Sequence, residues 1–132
     1  MLVHSFNYPK AITYSREIDF ENRELIRKAA LDGFPSAIPA VKFWGFRIDV
    51  RKCSKPMKEF DIENVPKLIV DAFCKKQFKT FDRMSQYKNV ALYENDTIDT
   101  VRLLEVRGER VHGPDVTFVE VHGWGEGEKI EF

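Results

Sequence analysis

The chain has 132 residues, of which 43% are hydrophobic and 32% are charged, and its formal net charge is zero. This length supports one hydrophobic core, so we predict a single domain over residues 1–132. The sequence contains no run of about eighteen apolar residues and no secretory signal pattern, and we therefore expect a cytoplasmic protein with no membrane partner. The two cysteines and three histidines are scattered, which excludes a zinc motif.

Charge is unevenly distributed along the chain. Residues 42–91 carry twelve Lys or Arg against six Asp or Glu, whereas residues 92–132 carry four against ten. Within the basic part, residues 75–88 combine cations with Phe78, Phe81 and Tyr87. Two interpretations of this segment stay open: a surface for a phosphate-bearing partner, or a partly buried extension of a helix.

Hydrophobic periodicity predicts the first elements in chain order. The first six residues form a short strand, and residues 19–33 form a helix that begins at Asp19 and stops at Gly33. Residues 41–50 alternate in a way that predicts a central strand. A second helix begins at Pro66 and carries an apolar face through Phe73.

Two further strands are predicted over residues 98–106 and 116–121, where β-branched residues are frequent. Turn-forming residues between them, including Gly108 and Gly113-Pro114-Asp115, favour an antiparallel pair. Residues 123–132 contain three Gly and three Glu, so we expect a loose C-terminal tail there. Together the elements predict an α+β fold, a small mixed or antiparallel sheet with two main helices packed on one face.

Acidic residues precede the second helix. Proline restricts the residue before it to extended conformations, so residues 61–65 are predicted to be extended. Asp61 and Glu63 then lie on the same side of the chain, with Cα atoms about 6.6 Å apart. With Asp96, they form a set of oxygen ligands of the kind that Mg²⁺ prefers, and Lys67 is within reach to hold a phosphate.

A structural interpretation of the same residues also stays open. Acidic side chains near a helix N-terminus are favoured by the helix dipole. Lys67 and Asp71, four residues apart, form an ordinary ion pair on a helix surface.

The order of residues in Asp61-Ile62-Glu63-Asn64-Val65-Pro66-Lys67-Leu68-Ile69-Val70-Asp71-Ala72-Phe73 resembles the RusA-type Holliday-junction resolvases. The signature of that family runs Asp, apolar, Asp, Asn, apolar, any residue, Lys, and then an apolar helix that ends in Asp-Ala-Leu. Asn95-Asp96 before a strand is similar to the paired-Asp turn of the family. The resemblance covers residues 15–122 and is strong in these two blocks.

The resemblance implies a Mg²⁺-dependent endodeoxyribonuclease, in which Mn²⁺ can substitute, that resolves four-way (Holliday) DNA junctions in recombination and repair. It implies that Asp61, Glu63 and Asp96 bind the metal and that Lys67, Asp61 and Asp96 are catalytic. It also implies that the protein works as a homodimer on branched DNA.

The chain departs from the family pattern at three places. Glu63 stands where Asp is usual, Asn95 replaces the first acid of the paired turn, and the interval between Phe73 and Asp96 is longer than usual. We interpret the additional residues as the basic, aromatic segment 75–88. These departures keep an alternative open: a non-catalytic or differently specific protein of the same fold that binds branched DNA.

Overall fold

The computed structural model of the protein describes residues 1–14, 19–38, 40–78 and 86–132. Its main elements are the strands β1 (Leu2–Tyr8), β2 (Phe43–Cys53), β3 (Val101–Val111) and β4 (Val116–Trp124) and the helices α1 (Asp19–Leu31) and α2 (Val65–Ala72). The four strands form one sheet in the order β1-β4-β2-β3. Strand β4 pairs antiparallel with β1 and β2, whereas β3 runs parallel to β2. The predicted α+β fold with a small mixed sheet is confirmed.

Both helices contribute to the hydrophobic core on one face of the sheet. The alternation predicted for the second strand is confirmed, because Phe46, Ile48 and Val50 are each at most 1% exposed. Ile26 of α1 and Leu68 of α2 belong to the same core cluster. The opposite face of the sheet is polar and carries the charged side chains of Arg47, Asp49, Arg51, Glu105, Arg107 and Glu120.

The elements predicted from local patterns near the N-terminus are confirmed with small changes in their bounds. The first predicted strand is β1, which continues to Tyr8, and the helix predicted over residues 19–33 ends at Leu31. Gly33 has a φ of 72°, a left-handed conformation that glycine adopts without steric cost, so the chain leaves the helix there. Within the described ranges, no helix is long and apolar enough to cross a membrane.

The predicted antiparallel pairing of the third and fourth strands is wrong. Strand β3 lies beside β2 with Val111 opposite Cys53, and β4 lies on the other side of β2 with Val116 opposite Arg51. The connection between Val111 and Val116 therefore crosses the end of β2. Turn-forming residues do close this connection, but the partner of each strand is decided by packing with residues far away in the sequence.

The connection is fastened to β2 by Asp115. Its Oδ1 accepts a hydrogen bond from the backbone N–H of Cys53 at 2.7 Å, and its Oδ2 accepts one from Lys52 Nζ at 2.9 Å. Burial alone would raise the pKa of Asp115, but these donors lower it by more, so the pKa lies below its ordinary value of 3.8.

Replacing Asp115 by alanine is expected to destabilise the protein by about 1 to 3 kcal/mol at neutral pH, because two donors lose a charged acceptor. A carboxylate whose pKa falls on folding stabilises the protein above its unfolded pKa, and this contribution is lost as the pH drops through the folded pKa. The difference from wild type should therefore shrink below about pH 4. Urea unfolding at pH 7 and pH 3 measures both values. Asp99→Ala, at an exposed aspartate before β3, is the matched control, and an equal loss in the two variants would contradict this role.

The C-terminal residues continue further into the sheet than predicted. Gly123 and Trp124 belong to β4, so the predicted start of the tail at residue 123 is wrong. The Phe132 ring lies 4.7 Å from the His122 ring and 6.0 Å from the Trp124 ring, measured between centroids. The looseness of residues 125–132 stays a prediction.

Candidate functional site

The acidic segment before α2 is a tight turn rather than an extended strand. Asp61 is extended, with φ −88° and ψ 92°, but Ile62–Asn64 form a 3₁₀ turn that leads directly into α2. Val65, the residue before Pro66, is helical with φ −72° and ψ −47°. The prediction of an extended segment over residues 61–65 is therefore wrong. The local preference imposed by proline is overridden because Val65 is completely buried in the core.

This turn changes the relation between the first two predicted ligands. A 3₁₀ turn has three residues per turn, so side chains two positions apart point in different directions. The prediction that Asp61 and Glu63 lie side by side depended on an extended segment, so it no longer has a basis. The Asp61 carboxylate is instead contacted within the turn, where Asn64 Nδ2 donates to Asp61 Oδ2 at 3.2 Å. The role of Glu63, which is exposed, as a metal ligand stays a prediction.

The turn is held against the sheet by a close contact between Ile62 and Gly108. A Cβ atom on Gly108 would lie 2.6 Å from Ile62 Cδ1, so a side chain at that position of β3 would require the Ile62 side chain to move. The absence of a side chain at Gly108 therefore lets the turn lie directly on the edge strand. This contact sets the position from which Asp61 projects.

Lys67 and Asp71 form an ion pair along α2. Lys67 Nζ lies 3.3 Å from Asp71 Oδ2, and the Lys67 side chain is 51% exposed whereas that of Asp71 is 4% exposed. Lys67 Nζ also lies 4.9 Å from the centroid of the Tyr14 ring. The pair predicted by the structural interpretation is confirmed, but it joins an accessible cation to a buried carboxylate.

Asp71 also faces Asp96. The two carboxyl groups lie near each other, and among the described residues no donor reaches the buried Asp71 Oδ1. Burial raises the pKa of Asp71, the Lys67 ammonium lowers it, and the nearby Asp96 raises it, with a net rise above the ordinary value of 3.8. Two ionised carboxylates are both acceptors, so a proton or a cation is needed between them.

The segment that carries Asp96 is tied to the end of α2 by backbone hydrogen bonds. The N–H of Leu92 donates to the carbonyl of Phe73, and the N–H of Lys75 donates to the carbonyl of Tyr93, each at 2.9 Å. The thiol of Cys74 donates to the carbonyl of Glu94 at 3.2 Å. Asp96 itself is exposed, so the buried Asp71 carboxyl meets a side chain that reaches solvent.

Both cysteines are free, and Cys74 is buried. Burial raises the pKa of the Cys74 thiol, and the negative charges of Asp96 and Asp71 raise it further, while backbone donors lower it. This thiol is therefore a poor nucleophile at neutral pH. Its contribution to the site is to hold the Glu94 carbonyl.

The structure brings together some of the predicted site residues and not others. Lys67 and Asp96 meet through Asp71, whereas Asp61 lies before the helix and is contacted by Asn64. Among the residues that the structure describes, no three His, Cys, Asp or Glu side chains form a group that could hold a metal ion. The donor chemistry nevertheless suits a hard cation, because Mg²⁺ is commonly held by one or two carboxylates with water and substrate phosphate as the remaining ligands.

A basic groove adjoins the residue that precedes Asp61. The groove has a volume of ≈ 440 Å³ and its lining includes Lys52, Lys55, Lys58 and Phe60. The three lysines outnumber the two carboxylates in the lining, Glu59 and Asp115. Because Lys52 is paired with Asp115, the lining has a net formal charge of +1, which comes from Lys55 and Lys58 against Glu59.

Part of the basic, aromatic segment 75–88 lies outside the described residues, including Phe81 and the other residues from 79 to 85. Phe78 packs against the core cluster, and the Arg27 guanidinium lies 3.8 Å from the centroid of its ring. Packing in the core is therefore confirmed for Phe78, and also for Tyr87, which is 4% exposed in the same cluster. An extension of the second helix is wrong for residues 73–78, because α2 ends at Ala72 and a separate 3₁₀ turn follows at Lys75–Gln77. The interpretation of the basic residues as a surface for a phosphate-bearing partner stays a prediction.

Asp71 is the residue of this site that pattern analysis assigned only to an ion pair. Its position in the Asp-Ala-Phe end of the motif was the available signal, but its burial and its contact with Asp96 depend on the tertiary fold.

A comparison of the chain with protein-family models, curated proteins and solved structures finds no match.

Proposed function

We propose that this protein is a Mg²⁺-dependent endodeoxyribonuclease that resolves four-way DNA junctions as a homodimer, in the manner of the RusA-type resolvases. The observation that supports it best is the cluster of Lys67, Asp71 and Asp96, which joins an accessible lysine to two neighbouring carboxylates. Such a cluster suits metal-assisted hydrolysis of a phosphodiester, because carboxylates are ligands for Mg²⁺ and a lysine can bind the phosphate.

Each proposed residue has a separate chemical role. Asp61 and Asp96, with Glu63 as a further candidate, would hold the cation. Bound Mg²⁺ would supply a water molecule of lowered pKa and would neutralise charge on the phosphate. Lys67, which is half-exposed and tethered to Asp71, donates to a non-bridging oxygen of the scissile phosphate or orients the attacking water.

The basic groove provides the proposed path for the DNA backbone. Lys52, Lys55 and Lys58 lie on the side from which the chain enters the acidic turn. Cations at these positions release counterions from DNA phosphates and make binding dependent on salt. The cytoplasmic location remains part of the same proposal.

A non-catalytic protein that binds branched DNA is the second candidate. The observation that favours it is the 3₁₀ turn, which separates Glu63 from Asp61, together with Asn95 in place of an acid. Such a protein would keep the basic groove and lose the chemistry. Metal binding and cleavage therefore distinguish the two candidates, whereas DNA binding does not.

The test is a comparison of substrates with the purified wild-type protein in Mg²⁺. We expect cleavage of a labelled four-way junction and at least about tenfold slower cleavage of a flap and of a linear duplex, because a dimer is matched to two-fold related strands. Equal cleavage of the junction and the flap would mean that the substrate is branched DNA in general and not the four-way junction in particular. Tight junction binding without cleavage would support the non-catalytic candidate.

A further inference from the structure

A buried carboxylate with an unused acceptor lies in the site described above. The Asp71 side chain is 4% exposed, its Oδ2 is paired with Lys67, and its Oδ1 has no donor within hydrogen-bonding distance in the part of the chain that the structure describes. A buried acceptor without a partner costs free energy, and such groups in folded proteins ordinarily have a ligand, a water or an ion. The Oδ1 atom of Asp71 is therefore a candidate position for a ligand.

The neighbour of that free oxygen limits what the ligand is. Asp96 lies near Asp71, on a segment that hydrogen bonds hold against the end of α2, and it contributes another carboxylate rather than a donor. Lys67 satisfies only the other oxygen of Asp71. Two carboxylates facing each other beside one lysine attract a cation, and oxygen-only donors select a hard one such as Mg²⁺ or Mn²⁺.

Access to the site is provided by the unequal exposure of its two acids. Asp71 is fixed in the last turn of the packed helix α2, whereas Asp96 is exposed on the segment that the Glu94 carbonyl anchors to Cys74. A hydrated cation can reach Asp96 from solvent and keep water ligands on its open side. The exchangeable ligands would then face the same solvent as the Lys67 ammonium.

We propose that Asp71 is a metal ligand, and that Asp71 and Asp96 together hold the divalent cation, in place of the pairing of Asp61 with Glu63. The inference rests on the proposed function for the identity of the cation and for the substrate. It assigns Asp71 a role that goes beyond its ion pair with Lys67. It also makes Glu63 dispensable for metal binding.

Binding of Mn²⁺ to the full chain without DNA tests this assignment, with electron paramagnetic resonance reporting the free ion. We expect Asp71→Asn and Asp96→Asn each to weaken Mn²⁺ binding by at least about tenfold, because each removes a charged ligand. Asp99→Asn is the matched control, since it converts an exposed aspartate three residues after Asp96 to an amide, and it should change binding by less than about twofold. Wild-type binding by Asp71→Asn, or an effect of Asp99→Asn as large as that of Asp71→Asn, would overturn the assignment.

A measurement on the wild-type protein covers the case in which Asp71→Asn does not fold. Substoichiometric Mn²⁺ broadens the amide resonances nearest to it, and we expect Asp71, Ala72, Asp96 and Thr97 to broaden first. Broadening centred on Ile62–Asn64 would overturn the assignment. Absence of specific broadening at millimolar Mn²⁺ would overturn it as well, since a proton would then be shared by the two acids.

Failure of this inference and failure of the proposed function give different results. If Mn²⁺ binds at Asp71 and Asp96 but no branched DNA is cleaved, the metal site stands and the nuclease proposal fails. If a four-way junction is cleaved while Asp71→Asn retains wild-type Mn²⁺ affinity, the nuclease proposal stands and the inference fails.

Discussion

Asp61→Asn is expected to slow cleavage of a four-way junction by at least about 100-fold, with junction affinity within about threefold of wild type. Asp61 is exposed at the start of the 3₁₀ turn, where its carboxylate accepts a hydrogen bond from Asn64. The amide keeps the shape of the side chain and removes the negative charge that a metal ligand requires. Effects of about 10²–10³ are typical when one electrostatic contributor to a transition state is removed.

The measurement is single-turnover cleavage at saturating protein, with affinity determined separately by junction binding in Ca²⁺. Glu59→Gln is the matched control, because it removes one negative charge from an exposed position two residues earlier. It should leave the cleavage rate within about twofold of wild type. Cleavage by Asp61→Asn at the wild-type rate would remove Asp61 from the site, and loss of binding together with cleavage would argue against its metal role.

The largest expected effect on stability is at Arg27. This arginine is completely buried, and its Nε donates to the carbonyl of Ala72 at 2.7 Å while its Nη2 donates to the carbonyl of Gln77 at 3.2 Å. Ala72 is the last residue of α2, where carbonyls have no donor within the helix. Arg27 of α1 therefore caps the C-terminus of α2, next to Asp71. Burial lowers the pKa of Arg27 to about 10, so the guanidinium remains charged at neutral pH.

Arg27→Met is expected to lower the free energy of unfolding by about 3 kcal/mol, because it fills much of the volume but leaves two carbonyls without their donor. Guanidinium unfolding at pH 7 measures the change. Lys28→Met is the matched control, since it makes the same kind of substitution at the next residue, which is exposed. A loss no larger than that of Lys28→Met would show that Arg27 does not hold the two helices together.

The elements with strong local patterns could be predicted from the sequence. The alternation in β2 and the spacing in α1 reflect burial of one side of each element, and burial of this kind leaves a direct trace in the order of apolar residues. The partners of the strands leave no such trace. The turn residues before Val116 predicted a hairpin, but Asp115 fastens that turn across the end of β2 instead.

The candidate site could be predicted in its residue types and only partly in its geometry. The motif located Asp61 and Lys67, but the conformation of the turn follows from the burial of Val65 and the contact of Ile62 with Gly108. The predicted ion pair of Asp71 with Lys67 is confirmed, but the burial of Asp71 and its proximity to Asp96 were not predicted. Its burial and its approach to Asp96 depend on hydrogen bonds between segments that are about twenty residues apart, as from Cys74 to Glu94.

The most direct test of the proposed nuclease is the metal dependence of cleavage by the wild-type protein. A four-way junction labelled on each strand is incubated with the protein in Mg²⁺, in Ca²⁺ and in EDTA. We expect paired cuts on opposite strands in Mg²⁺ and none in EDTA, with the junction still bound in Ca²⁺. Cleavage that continues unchanged in EDTA, or a bound junction that stays intact in Mg²⁺ and in Mn²⁺, would contradict the proposed metal-dependent nuclease.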